Sequence, residues 1–224
     1  MTSFSSTIGS TMRTAFPFLK GPAHVEHPWD EVLFDSPNFA VVPTVGAIVE
    51  GWLLIVTKQH ALCMGAIDSR HYSELNSIKE FATKLIIEQY GSAVVFEHGP
   101  AKCGQTTGCG TDHAHLHIVP VEQSLIDGIP NVTLETFEWE RVHGIEVTKQ
   151  YFTSSIPYLY VEQPLGEPKI SSASQAPSQL FRKVIANQNC CSTKSNWRDY
   201  PMTENVLATV SCVKSYLCQN DFVV

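Results

Sequence analysis

Thr111-Asp112-His113-Ala114-His115-Leu116-His117-Ile118-Val119-Pro120 is the stretch whose reading decides the fold. Histidines alternate with apolar residues, and Pro120 closes the run. Successive side chains of a strand fall on opposite faces, so His113, His115 and His117 line one side while Ala114, Leu116 and Ile118 pack behind them. This places neighbouring imidazoles roughly 7 Å apart. Such a row is costly to keep for structure alone, because each ring disfavours its neighbour's protonation and each needs hydrogen-bond partners. Two chemistries use it. A neutral imidazole held in one tautomer by a partner on its far nitrogen attacks phosphorus and leaves a labile phosphoramidate. Neutral histidines at alternating strand positions also ligate zinc and leave a position open for water. A strand that merely contains three histidines is the remaining alternative, and strand geometry favours the nucleophile.

Working outward, Ala93-Val94-Val95-Phe96 is a strand, joined to the histidine strand (Asp112–Val121) by a loop from Gly99 to Gly110 rich in glycine. Clustered glycines beside Lys102 suggest a backbone nest that cradles phosphate, with a plain surface loop as the alternative. Cys103 and Cys109 lie in this loop; their spacing is not that of a standard zinc pair, and two unligated thiols are expected. Upstream, Ser73–Tyr90 spaces Leu75, Ile78, Phe81, Ala82, Leu85 and Ile86 as an amphipathic helix that Gly91 can terminate. Gly51-Trp52-Leu53-Leu54-Ile55-Val56 suits a central strand buried on both faces. Val32-Leu33-Phe34 and Phe39-Ala40-Val41-Val42 flank the turn Asp35-Ser36-Pro37-Asn38.

This order of elements implies an α+β fold, an antiparallel sheet with a long helix on one face. Past Gly128, Tyr158–Val161 reads as a strand, Ser178–Asn187 and Glu204–Leu217 as helices, and Lys169–Ser178 as a linker. The expected organisation is an N-terminal tail or arm (1–28), a catalytic unit (29–127) and a C-terminal α/β extension (128–224) packed on or near the site. Arg182, and Arg198 beside Trp197, are candidate substrate contacts, since arginine can clamp phosphate and tryptophan can stack on a base. Ordinary surface charge and core anchoring are the alternative for them.

The chain has 224 residues and a formal charge of −7, so its overall field repels a polyanion, and nucleic acid is not an expected partner. A small anionic ligand remains compatible with that charge. No run approaches the ~20 apolar residues that span a bilayer, so no membrane partner is expected. The first residues lack the apolar core of a secretory signal, and 7 cysteines is an odd count. Free thiols in the cytoplasm are the expectation.

The run from His113 to Val119 resembles the signature of the histidine-triad (HIT) superfamily. Glu50–His60 resembles that family's glycine-led strand ending in Lys-x-His, and Glu97-His98-Gly99-Pro100 resembles its polar-polar-Gly strand end. The resemblance spans about Glu31 to Glu122. It implies that His115 is the nucleophile taking a nucleotidyl group, that His113 orients the site by donating to backbone, and that His117 contacts phosphate and helps the leaving group. It further implies substrate contacts at Glu97, His98, Lys102, Gln105 and Thr106, Glu97 reaching ribose hydroxyls or a cationic part of the substrate. Where relatives carry Pro-Gly-His this chain has Glu50-Gly51-Trp52, and residues 107–112 separate its Gln105-Thr106 from the triad. The implied activity is a nucleotide hydrolase or nucleotidyltransferase acting at the α-phosphate of a nucleoside phosphate derivative, with no cofactor required. A zinc hydrolase using the three histidines and a non-catalytic nucleotide-binding protein remain alternatives. Relatives pair as homodimers, which leaves that assembly open here.

Overall fold

The computed structural model describes residues 27–105, 111–164 and 166–220. Most of the expected N-terminal arm, together with Thr106 and Cys109, lies outside the described residues. Strands β1 (Phe34–Asp35), β2 (Phe39–Pro43) and β3 (Leu53–Thr57) precede helix α1 (Tyr72–Tyr90). Strands β4 (Val94–Gly99) and β5 (His115–Val119) follow, then helix α2 (Leu125–Gly128), strand β6 (Glu140–Arg141) and helix α3 (Thr148–Thr153). Strands β7 (Tyr158–Glu162) and β8 (Lys169–Ser172) and helices α4 (Leu180–Gln188) and α5 (Thr203–Gln219) complete the order.

Among the described residues the strands form one 8-stranded sheet, β1-β2-β3-β5-β4-β7-β8-β6, with every pairing antiparallel. The α+β expectation holds. The region after residue 128 contributes to the same sheet, β7 lying along β4 from Val95↔Glu162 to Gly99↔Tyr158. Lys169–Ser172, expected to be linker, is instead strand β8. Ile170 there is fully buried, so a stretch that looks polar and flexible still carries one strong core anchor.

Period-two burial sorts the sheet into two faces. On one, Leu53, Ile55, Val95, Leu116 and Ile118 meet Leu75, Ile78, Ala82, Leu85 and Ile86 of α1. On the other, Val94, Phe96, Val119, Leu159 and Val161 pack under Leu180, Phe181, Val184 and Ile185 of α4. Helices therefore cover both faces, not one. Each such side chain taken fully from water contributes about 1.5–3 kcal/mol before the entropy of ordering it is set against that gain. Glu74 of α1 fixes the β1–β2 turn: its carboxylate accepts from Ser36 Oγ (2.6 Å), Asn38 N (2.7 Å) and Asn38 Nδ2 (2.6 Å). No helix among the described residues is long and apolar enough to cross a membrane.

Gly91 ends α1 in the left-handed region, φ 85°, with nothing within 4 Å of an added Cβ. Gly51, φ 79°, leads into β3 with the Tyr90 ring 2.6 Å from where a Cβ would sit. Gly91→Ala should therefore cost only the conformational penalty, about 1–2 kcal/mol. Gly51→Ala should cost distinctly more, because a packed ring must also move. Urea unfolding of both variants checks the order, and equal losses would contradict the close approach of Tyr90.

Candidate functional site

Strand β5 is held on both sides. Leu54↔His117 and Val56↔His115 pair it with β3, and Phe96↔His117 pairs it with β4. Directly opposed residues of an antiparallel pair share a face. His115 and His117 thus project away from α1, and Ala114, Leu116 and Ile118 lie in the α1-side core. His113 precedes the strand proper. The rings of His115 and His117 lie 4.9 Å apart edge to face, closer than the backbone spacing alone suggests, because the side chains lean together.

Partners whose roles are fixed set the tautomers. His115 Nδ1 is 2.7 Å from the carbonyl oxygen of His113. A carbonyl only accepts, so Nδ1 carries the proton, and in the neutral ring Nε2 carries the lone pair. His117 Nδ1 is 3.0 Å from Trp52 Nε1. An indole N–H only donates, so Nδ1 is the acceptor and Nε2 carries the proton. His113 Nε2 lies 2.7 Å from the Thr57 carbonyl, to which it donates, with Thr57 Oγ1 at 3.1 Å. Two adjacent imidazoles therefore carry complementary groups, an unprotonated Nε2 on His115 and an Nε2–H on His117.

Trp52 stands where the resemblance has an extra histidine, and it supplies one of the supports that position would give. Its ring lies edge-on to His117 (5.7 Å), Phe96 stacks on the far side of His117 (4.4 Å), and the Arg182 guanidinium sits 4.7 Å over the indole. Arg182 is 3% exposed. It donates to the carbonyls of Gly46 and, at 3.3 Å, Ser195. This expected substrate contact is a buried cation that ties α4 to the indole bonded to His117. Nothing in the sequence marked Trp52 as a hydrogen-bond partner; the signal was its substitution for a polar residue.

Glu97 is not on the histidine face. One residue beyond Phe96 on β4, it points into the α1-side core, where its carboxylate accepts from Met64 N (2.7 Å) and the Tyr158 hydroxyl. Burial pushes its carboxyl up to about 7, those two hydrogen bonds opposing the shift. Strand parity forbids Glu97 and His98 from both facing substrate. His98 is the one on the histidine side, opposite His115 when the β4–β5 register is continued. Only 3% exposed, it has no hydrogen-bond partner at either ring nitrogen. A buried polar group left so costs about 1–3 kcal/mol.

The glycine-rich loop is already self-satisfied in part. Gln105 Oε1 accepts from the amides of Ala101 (2.7 Å) and Lys102 (3.1 Å), and Gly104 N–H donates to Asp112 Oδ2 (2.8 Å). Among the described residues, the amides of Ala101, Lys102 and Gly104 are thus engaged within the protein, two of them by Gln105. Lys102 and Cys103 are exposed. Arg198 is also exposed, over Trp197 at 4.2 Å, and is not brought to the triad by any contact described. Among the described residues, no cluster of histidine, cysteine, aspartate and glutamate has the arrangement to hold a metal ion.

Burial pushes every imidazole of this face down: His98 to about 3, His113 to about 4, His115 below its ordinary value and His117 well below. All are neutral at pH 7. The unfolded chain, with histidines near 6.5, takes up protons first as pH falls. The stability they contribute is thus complete above about 6.5 and lost as pH descends toward 4 and 3. Glu97 works oppositely, its contribution complete below about 4.3 and lost as pH rises through about 7. The melting temperature should fall between pH 7 and pH 4, more steeply in Glu97→Gln, which lacks the opposing proton. Calorimetry across this range checks it, and a flat profile in Glu97→Gln would contradict the burial of these rings.

Residues 35–133 match the family model described as protein similar to CwfJ C-terminal. A search of curated proteins finds no match. Among solved structures, a HIT-like protein involved in cell-cycle regulation from Bartonella henselae is 14% identical, over 56% of this chain and 85% of that one, with a TM-score of 0.35. A hypothetical histidine triad nucleotide-binding protein from Sulfolobus tokodaii is 15% identical, over 55% and 81%, with a TM-score of 0.35. A uridylyltransferase is 12% identical, over 88% and 95%, with a TM-score of 0.39. The stretch similar to CwfJ C-terminal, residues 35–133, includes strand β5 and the three imidazoles of His113, His115 and His117.

Proposed function

We propose that this protein is a nucleotide hydrolase or nucleotidyltransferase that works through a covalent nucleotidyl-histidine at His115. The observation that carries this reading is the 2.7 Å hydrogen bond from His115 Nδ1 to the His113 carbonyl, which leaves the nucleophilic lone pair on Nε2. In the first step Nε2 bonds to the α-phosphorus, and the bond from phosphorus to the leaving group breaks, its electron pair departing with that group. In the second, water or another acceptor bonds to phosphorus, gives up its proton to solvent, and the P–N bond breaks back to His115.

His117 serves both steps as a hydrogen-bond donor. Its Nε2–H meets charge developing on a phosphoryl or leaving-group oxygen. Proton delivery from His117 is disfavoured, because protonating its Nδ1 would set that N–H against the indole N–H of Trp52. Burial, which holds the ring neutral, acts in the same direction. The nucleophile is ready at neutral pH without needing to lose a proton.

The zinc reading asks the three rings to turn lone pairs toward one ion. His113 Nε2 is committed to the Thr57 carbonyl, and the Nδ1 atoms of His115 and His117 are committed to the His113 carbonyl and Trp52. With His117 Nδ1 accepting from the indole, its Nε2 carries a proton and offers no lone pair to an ion. The commitments favour the nucleophile.

Wild-type protein incubated with adenosine 5′-phosphoramidate or a dinucleoside polyphosphate should carry an acid-labile nucleotidyl adduct by intact mass spectrometry. His115→Asn should keep its melting temperature, carry no adduct, and lose turnover by more than about 10³-fold. Turnover by that variant at the wild-type rate would refute the covalent scheme. Activity should also survive prolonged dialysis against a strong chelator; loss on chelation with recovery on adding zinc would favour the metal reading.

A further inference from the structure

We propose that His98 is a fourth imidazole of the site, donating a ring N–H to a non-bridging oxygen of the phosphoryl group while that group is being transferred to and from His115. This rests on the nucleotidyl-transfer reading above and adds a phosphate contact to it. The placement comes from register: Phe96 opposes His117, and two residues further along β4 His98 opposes His115 on the same face. Its neighbour on the other side, Leu159 of β7, is buried and apolar.

His98 differs from the three triad rings in one respect. Each of those has a protein hydrogen bond, to Thr57, to the His113 carbonyl or from Trp52. Both nitrogens of His98 are buried without one. A leucine or phenylalanine would fill the same space without stranding two polar atoms, so folding gives no reason for an imidazole there. A phosphoryl group on the adjacent His115 gives one. Phosphoryl oxygens only accept, which suits the N–H of a neutral ring, and the second nitrogen can take a hydrogen bond from a water or a sugar hydroxyl. The nearest carboxylate along β4, that of Glu97, points to the opposite face.

The test separates a ligand contact from a structural role. His98→Phe keeps the ring volume and removes both nitrogens; His98→Gln keeps a donor. His98→Phe should melt at or above the wild-type temperature, bind AMP and inorganic phosphate more weakly by calorimetry, and lose about 10- to 100-fold in kcat/KM on adenosine 5′-phosphoramidate. His98→Gln should recover part of that loss. In the wild type, AMP should shift the ring nitrogen resonances of His98. Wild-type affinity and turnover in His98→Phe, or a lowered melting temperature in both variants, would overturn the proposal. If the wild type forms no adduct and turns nothing over, the nucleotidyl-transfer reading fails. The His98 contact then still stands if His98→Phe weakens AMP and phosphate binding, and falls if the wild type binds neither.

Discussion

A backbone carbonyl cannot donate a hydrogen bond and an indole N–H cannot accept one, and the arrangement of the histidine face depends on that pair of prohibitions. Without the His113 carbonyl, His115 could carry its proton on either nitrogen, and without Trp52 so could His117. With them, the two rings present a lone pair and a donor side by side. Low polarity around the site reinforces this by keeping the rings neutral, so that at pH 7 the proposed nucleophile carries its lone pair on Nε2.

Those two constraints are delivered by the sheet and its second layer. β3 and β4 hold β5 from both sides, which fixes which face His115 and His117 occupy. Trp52, immediately before β3, is positioned in turn by Arg182 from α4, whose guanidinium also donates to the Gly46 carbonyl. A residue far along the chain thereby reaches the triad through one intervening ring. The fields of the same guanidinium help to depress the neighbouring imidazoles after burial has done most of it. Helix α4 is thus connected, through packing and charge together, to the protonation state of the site.

Much of this was written into the residues, and the exceptions are instructive. Alternation in His113–Val119 disclosed the histidine face because period two needs no knowledge of neighbours. The helix ending at Gly91 was legible for the same local reason. Glu97 was misplaced because similarity transfers a neighbourhood, whereas orientation depends on pairing register, which one strand does not reveal. Arg182 was read as a candidate phosphate clamp with core anchoring among the alternatives, since whether a cation meets phosphate or an indole depends on tertiary packing. Lys169–Ser172 has the composition of a linker and becomes a strand through its partner β7 and the burial of Ile170. Gln105 was noticed through resemblance, yet it serves the loop's own amides.

The lengthwise pairing of β7 with β4, from Val95 to Gly99, has a practical corollary for anyone dissecting the chain. The stretch that matches the family model stops at residue 133, well before β7 begins. A fragment cut there would bare a row of peptide donors and acceptors on β4, on the strand that also carries His98. Unpaired ladders of that sort recruit other chains. Self-association of an isolated fragment would therefore report an exposed edge, and would say nothing about how the intact molecule assembles.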